Sequence, residues 1–347
     1  MSAVRSPYTR SAWYNRGSRV EPGKDHVFSQ IDEEKHTKRR TQMTAGYSGK
    51  ENLSLDQDVD ARVVELLDLI RSKYVSIVGE AAKKMDLGQK IQFFTLDVIS
   101  TVGFGQPFGD LKADADVNNY NKSAEEGLSI VAVTLALGLI PILQWPPIAR
   151  LLGASEKDKS GFGKMQASAR AMIDARLSKS TEERSNMLAS FSRHGLTKDE
   201  IFTESMLQII AGSDTTATAL RSIMLYLLTH PPAYFKLQAE IDNAVKSGAV
   251  CTAPNVASDA CLKNLPYLQA VAREGLRIHP AITDLAPKKV PVGGDTVTVR
   301  GKKHFLPGGT NVGYDVLGLC HSEELFGDDA SVFRPDRWLI AEKMRTM

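Results

Sequence analysis

The chain has 347 residues, of which 42% are hydrophobic and 24% charged, so it is long enough for a substantial core in one large domain or two smaller ones. A formal net charge of +2, with Lys35, Lys38, Arg39 and Arg40 as the one dense basic cluster and no basic tract interleaved with aromatics, argues against nucleic-acid binding. Cys251, Cys261 and Cys320 are odd in number and lack the CxxC or Cys/His spacing typical of a zinc site, and a reducing compartment is the simpler inference.

Residues 1 to about 30 are polar and irregular, without helix, strand or secretory-signal character. From Asp32 the sequence predicts a basic helix, DEEKHTKRRTQMTAGY. An amphipathic helix over 59–81 follows, with Val63, Leu66, Leu67, Ile70, Tyr74 and Ile77 on one face, and then a helix KIQFFTLDVISTVGFG closing on Gly103 and Gly105. Gly127 to Ala149 is uncharged for 23 residues, long enough to span a bilayer. Pro141, Gln144, Pro146 and Pro147 favour instead two apolar segments broken at Pro141, packed in the core or dipping into a membrane interface. A charged helix is expected at about 155–180, then a long helix, a helix at 233–247, a loop holding Cys251 and Cys261, and the helix NLPYLQAVAREGLRIHP with Leu268, Val271, Ala272 and Leu276 aligned. Past Pro287 the period changes, and 295–300 and 305–312 read as short strands. The expected architecture is a single, mainly α domain over 1–347 with a small β-sheet near its end.

The long helix runs from Leu196 to Pro232. Thr197 and Glu200 form a capping-box signature at its start, and His230, Pro231 and Pro232 mark its stop. Apolar residues fall on several faces, which predicts burial nearly all round. Its centre, Ala211-Gly212-Ser213-Asp214-Thr215-Thr216, is nevertheless a run of poor helix formers in which Gly alone costs about 1 kcal/mol relative to Ala. Two readings follow. The hydroxyls bond back to the preceding turn, as Ser and Thr in helices often do. Alternatively, Gly212 leaves room for something to lie against a widened turn, with Asp214 and Thr215 forming a proton path beside it.

Glu274 and Arg277, three apart on a helix, share a face. That spacing is common on surfaces, but Phe333-Arg334-Pro335-Asp336-Arg337-Trp338 supplies a second arginine that can approach the same carboxylate.

Together these motifs, in this order, resemble the cytochrome P450 family of haem-thiolate monooxygenases, and the likeness covers most of the chain. Ala211 to Thr216 is similar to the family's oxygen-activating motif, which implies that Thr215 bonds iron-bound oxygen, that Asp214 is its acidic partner, and that Ala211 and Gly212 lie against haem. Glu274, Arg277 and Arg337 are similar to the family's Glu/Arg/Arg triad. His36 and Arg40 stand where members carry Trp-x-x-x-Arg against a haem propionate, and Lys288 falls near the position of an arginine for the other propionate, where it acts as a point charge. The resemblance implies haem b, dioxygen, an apolar organic substrate, an NADPH-dependent reductase, membrane contact through Gly127 to Ala149, and residence at the cytoplasmic face of the endoplasmic reticulum. The DAxVFRPDRWL-like segment leans toward fungal secondary metabolism.

The family's Phe-x-x-Gly-x-x-x-Cys-x-Gly loop, whose thiolate binds iron, is expected beyond Arg337 and does not occur in these 347 residues. The amino end is also short of the family's anchor and first elements. The expectation is therefore a cytochrome P450 fold truncated at both ends, without its metal ligand, and without the anchor the cytoplasm becomes an alternative location. The rival reading is a catalytically inactive remnant or a truncated gene product.

Overall fold

The computed structural model describes residues 6–12, 19–178, 186–250, 256–283 and 287–339. Among these, eight helices exceed two turns: α1 (Glu33–Tyr47), α2 (Leu55–Leu69), α3 (Leu87–Phe104), α4 (Tyr120–Ala136), α5 (Gly161–Leu177), α6 (Lys198–Thr229), α7 (Pro231–Lys246) and α8 (Pro266–Ile278). Strands β1 (Thr9–Arg10), β2 (Lys288–Lys289) and β5 (Asn311–Val312) form one antiparallel sheet in the order β1-β2-β5, and β3 (Asp295–Val299) and β4 (Lys302–Leu306) form a separate hairpin. A mainly α fold with little sheet is what the sequence implies.

The centre of the molecule is α6, which packs along α3 and, towards its end, against α8. Around its first half lie Leu96, Phe104, Met165, Ile173, Phe191, Phe202, Met206 and Ile209, all buried. Each such side chain contributes about 1.5–3 kcal/mol through apolar area removed from water. A second cluster, Leu227, Tyr267, Val271, Ile278 and Phe333, holds its far end. The capping box forms as read: Thr197 accepts from the Glu200 N–H and the Glu200 carboxylate accepts from the Thr197 N–H. With 32 residues the helix is about 48 Å long.

Several expectations are corrected. Residues 9–10 form a strand, because they pair with Lys288 and Lys289 far along the chain, a partner that two residues of sequence cannot announce. The second amphipathic helix starts at Leu55 and ends in a wide turn at Ile70–Tyr74, and Ile77 is exposed beyond it. There the Tyr74 hydroxyl donates to Asp114 at 2.9 Å, and Val75 turns extended. Cys261 lies on a short helix, Asp259–Lys263, rather than in a loop; Cys251 falls outside the described residues. The apolar stretch divides earlier than Pro141: α4 stops at Ala136, Gly138 adopts φ 69°, and short helices follow at Ile140–Leu143 and Pro146–Leu152. Among the described residues no helix is long and apolar enough to cross a membrane. The expected strand over 305–312 is two pieces in different sheets, separated by the turn at Pro307 to Thr310.

Two further corrections concern α6. It is not buried all round, since Ala211, Thr216, Leu225 and Leu228 are exposed. Nor is its centre widened: the α-helix is continuous, with Ser213 Oγ donating to Ile209 O and Thr215 Oγ1 to Ala211 O, both at 2.7 Å. The room left by Gly212 belongs to α3, because a Cβ there would stand 2.9 Å from Ile99 Cδ1. What lies against this glycine is a neighbouring helix.

Gly212→Val is therefore expected to lower stability by about 1–3 kcal/mol through overpacking. Ile99→Ala in the same chain should recover part of that loss in urea denaturation, and strictly additive losses would reject the contact.

Candidate active site

Neighbouring residues on a helix point about 100° apart, so Asp214 and Thr215 face different surroundings. The Asp214 carboxylate turns inward. It accepts from Gln92 Nε2 of α3 at 2.7 Å, from the Tyr120 hydroxyl at the first residue of α4 at 3.0 Å, and from Ser213 Oγ at 3.3 Å. Burial raises its pKa above the usual carboxylate range, although the bonds from Tyr120, Gln92 and Ser213 and the charge of Arg221 oppose the rise. Thr215 is half-buried beside the exposed Ala211 and Thr216. The helix thus keeps an acid with a tendency to hold its proton on one side and presents a hydroxyl on the other.

A second site forms where the first strand meets α1. Asp32 caps α1 by accepting from the Glu34 and Lys35 N–H groups. Arg39 reaches across to α6, where it pairs with Glu200 and, at 2.7 Å, with the fully buried Glu204. This contact directs the next residues of α1 to another side. His36, Arg40, Met43, Thr44 and Tyr47, at helical spacing, line a cavity of about 530 Å³ together with Arg10, Val27 and Phe28. Pairing of β1 with β2 sets Arg10 opposite Lys288. Arg10, His36, Arg40 and Lys288 therefore converge on one region, with the half-exposed Glu33, 3.6 Å from Arg10 Nε, as counter-charge. His36 is buried and its pKa is lowered, first by burial and then by the charges of Arg10, Arg40 and Lys288. A pocket lined by two guanidinium groups, with Lys288 nearby, suits an anionic ligand.

The third constellation surrounds Glu274, which is fully buried on α8. Its Oε1 accepts from Arg277 Nη2 (2.8 Å), the Arg334 N–H (2.8 Å) and Arg337 Nε (3.0 Å), and its Oε2 from Arg277 Nε and Trp338 Nε1 (both 2.9 Å). Burial would raise this carboxyl's pKa, but the bonds from Arg277 and Arg334 and the charges of Arg277 and Arg337 outweigh it and hold the group below its ordinary value. The structure thus brings Glu274, Arg277 and Arg337 together as expected, and adds Trp338, whose indole supplies a donor the motif did not require.

The cytochrome P450 family model matches residues 3–346. The chain is 38% identical to the cytochrome P450 monooxygenase ABA1 of Pyricularia oryzae over 350 aligned residues, covering 100% of this chain and 67% of that protein. It is 37% identical to the aba1 monooxygenase of Botryotinia fuckeliana and 29% identical to the pisatin demethylase of Fusarium vanettenii, covering 67% and 61% of those proteins. A crystal structure of a cytochrome P450, CYP102L1, aligns with a TM-score of 0.71 at 19% identity over 97% of this chain and 73% of that one. The chain belongs to the cytochrome P450 family, whose members are haem monooxygenases of the oxidoreductase class.

That family implies haem, and the residues present fit its carboxylate end. The cationic cavity beside α1 offers guanidinium donors, and Arg10 Nε is a buried donor without a hydrogen-bond partner. Of the described cysteines, neither Cys261 nor Cys320 lines that cavity. Cys261 packs with Ala244, Val250 and Leu265, while Cys320 lies on the Arg277 side, where its carbonyl accepts from Nη1 at 2.6 Å. Among the described residues no cluster suited to a metal ion occurs. Sequence reading missed Arg10, Gln92 and Tyr120. The first sits in a two-residue strand, and the other two are polar residues on helices whose partners lie 122 and 94 positions away.

Glu274→Gln removes the charge but keeps the shape. Because the folded pKa of Glu274 is depressed, its stabilisation is present in full above the ordinary carboxylate range and is lost as pH falls through the folded value. The melting temperature of Glu274→Gln should trail wild type at pH 7, where breaking a buried pair costs about 3–5 kcal/mol, and the gap should narrow in acid. A gap independent of pH would count against an ionised Glu274.

Proposed function

We propose that this chain forms the body of a haem-dependent monooxygenase that oxidises an apolar organic small molecule of fungal secondary metabolism, using dioxygen and electrons from an NADPH-dependent reductase. The observation that carries this reading is the division of α6 at its centre, with the half-buried, hydrogen-bonded Asp214 carboxyl, its pKa raised by desolvation, on one side and the Thr215 hydroxyl beside an open face on the other. Haem, when bound, supplies the redox chemistry that activates dioxygen. The chain's own residues do the rest. Arg40 and Lys288 are proposed to hold the cofactor's carboxylates, and Ala211 presents a small side chain to its plane. Asp214 holds a proton at its carboxyl oxygens, with Tyr120 and Gln92 fixing its orientation. The Thr215 hydroxyl, which donates to Ala211 O, would turn that donor to dioxygen on the open face of the helix. Gly212 serves helix packing in this scheme.

The same reading places the enzyme at the cytoplasmic face of the endoplasmic reticulum. In support of membrane contact, Ile130, Val133, Leu137, Ile142, Trp145 and Leu151 are each more than half exposed along α4, the two short helices after it and their caps. An apolar surface of this kind on a monomer marks an interaction site.

Two measurements test the proposal. In protein carrying the family's cysteine loop, Thr215→Ala should lower product formed per dioxygen consumed by about tenfold while raising hydrogen peroxide; unchanged coupling would reject the role of the hydroxyl. Replacing Leu137, Ile142 and Trp145 together by Ser should weaken sedimentation with phosphatidylcholine vesicles, and equal sedimentation would reject the surface as a membrane contact.

A further inference from the structure

Between α3 and α4 the chain holds one short helix, Asp110–Ala113, in an otherwise irregular connector. Its backbone is strained: Asp114 and Asn119 take φ 52° and 53°, in the left-handed region that non-glycine residues rarely adopt. Carboxylates supply the acceptors that a longer helix or a sheet would otherwise provide. Asp97 of α3, fully buried, accepts from the N–H groups of Gly109 (2.8 Å), Asp110 (3.3 Å) and Leu111 (2.9 Å). Asp110, also buried, accepts from the Val117 N–H at 2.9 Å. Asp116 accepts from the N–H groups of Tyr120 and Asn121 at 2.7 and 2.9 Å, which seats the first turn of α4, where the Tyr120 hydroxyl donates to Asp214. Three carboxylates in series thus tie the connector to α3 at one end and to α4 at the other.

Among the described residues Asp110 has no ion-pair partner. From α3 it faces Asp97, while Lys90 of the same helix pairs with Asp114, as does Lys73. Helix α2 brings Leu66 and Leu69 to Leu111 and Phe93, and its charges are taken up as Arg62 with Glu65 and Asp68 with Arg71. Lys112 and Lys122 are exposed, and Lys164 of α5 gives its ammonium to Val117 O at 2.6 Å. A protonated Asp110 still accepts from Val117 through its carbonyl oxygen, whereas an ionised one buries a second charge in the segment that Asp97 caps. We propose that Asp110 is a proton-operated latch on this connector: with its proton it keeps residues 109–121 folded against the Asp97 carboxylate, and loss of the proton to water releases them. Burial and then the charges of Asp97 and Asp116 push its pKa up to about 7, against the Val117 bond and the charge of Lys164. A released Asp110 returns to the ordinary carboxylate range near about 4, so between those values each pH unit favours release about tenfold, and above about 7 the effect levels off. Because Asp116 lies in the same connector and seats Tyr120, the donor set of Asp214 depends on pH through a residue that does not touch it.

The test is hydrogen–deuterium exchange of the 347-residue chain, followed by mass spectrometry from about pH 5 to about pH 8.5 and corrected for the intrinsic pH dependence of amide exchange. Peptides over 109–121 should lose protection by about tenfold per pH unit up to about pH 7 and level off beyond it, while peptides from the first half of α6 should not follow. Asp110→Asn is neutral at every pH and still offers Val117 an acceptor, so its protection should stay constant. Lys164→Gln removes the opposing cation, and its levelling point should move to higher pH; a merely structural contact would change protection without moving that point. This variant decides the matter if Asp110→Asn does not fold by circular dichroism. Melting temperatures give an independent reading. The folded pKa of Asp110 is raised, so its cost to stability grows as pH rises from the ordinary carboxylate range to about 7, and Asp110→Asn should melt above wild type at about pH 8 with a gap that narrows in acid. Wild-type protection that does not vary with pH, a wild-type profile in Asp110→Asn, or an unmoved levelling point in Lys164→Gln would overturn the latch.

Discussion

A single carboxylate, that of Glu274, organises the last third of the chain. Its two oxygens receive five N–H groups, and the arginines that supply three of them carry the order outward. Arg277 goes on to the carbonyls of Cys320, Ala330 and Val332, and Arg337 to those of Phe326, Asp329 and Val332. Residues 320–338 are mostly irregular, so their carbonyls have no ladder to satisfy them, and an unpaired buried carbonyl is expensive. The two guanidinium groups stand in for that ladder. Once the segment is fixed, Phe333 stacks on Tyr226 at 5.2 Å and closes the cluster that anchors the far end of α6. Charge burial is tolerated here because every lone pair is used; a half-satisfied network would be worse than an apolar one.

A comparable device fixes the near end. Glu204, fully buried on α6, accepts from Arg39 of α1 and from the Val27 N–H, tying the helix to the segment that carries the cationic cavity. Burial pushes Glu204 above the usual carboxylate range even though those partners oppose it. The central helix is thus held at its near end by ion pairs and at its far end by the apolar cluster that the Glu274 network closes, and its least helix-prone residues sit in the middle span.

The long helix, its capping box, the Glu274–Arg277 pair and the predominance of α structure were legible in the sequence, because each is carried by periodicity or by residues a few positions apart, whereas Arg337, 63 positions from Glu274, was expected there from the family resemblance. The exposed stripe of α6 was not. Apolar residues on several faces signal burial, yet composition cannot say that Ala211 and Thr216 meet open space while Gly212, one position on, meets Ile99. His36 and Arg40, singled out by their resemblance to the family's pattern, both line the cavity. The hydrogen bond at His36 was not readable, since it depends on Arg10, which reaches the site through a strand pairing between positions 10 and 288. Gln92 and Tyr120 escaped for the same reason: each looks like an ordinary polar residue near a helix start until the fold sets it against Asp214.

Helix α4 carries the Tyr120 phenol at its first residue and, further along, the exposed Ile130 and Val133. Seventeen residues make a rod about 25 Å long. The donor to the Asp214 carboxylate and the apolar surface thus belong to one element, and removal of the Tyr120 bond would raise the carboxyl's pKa further.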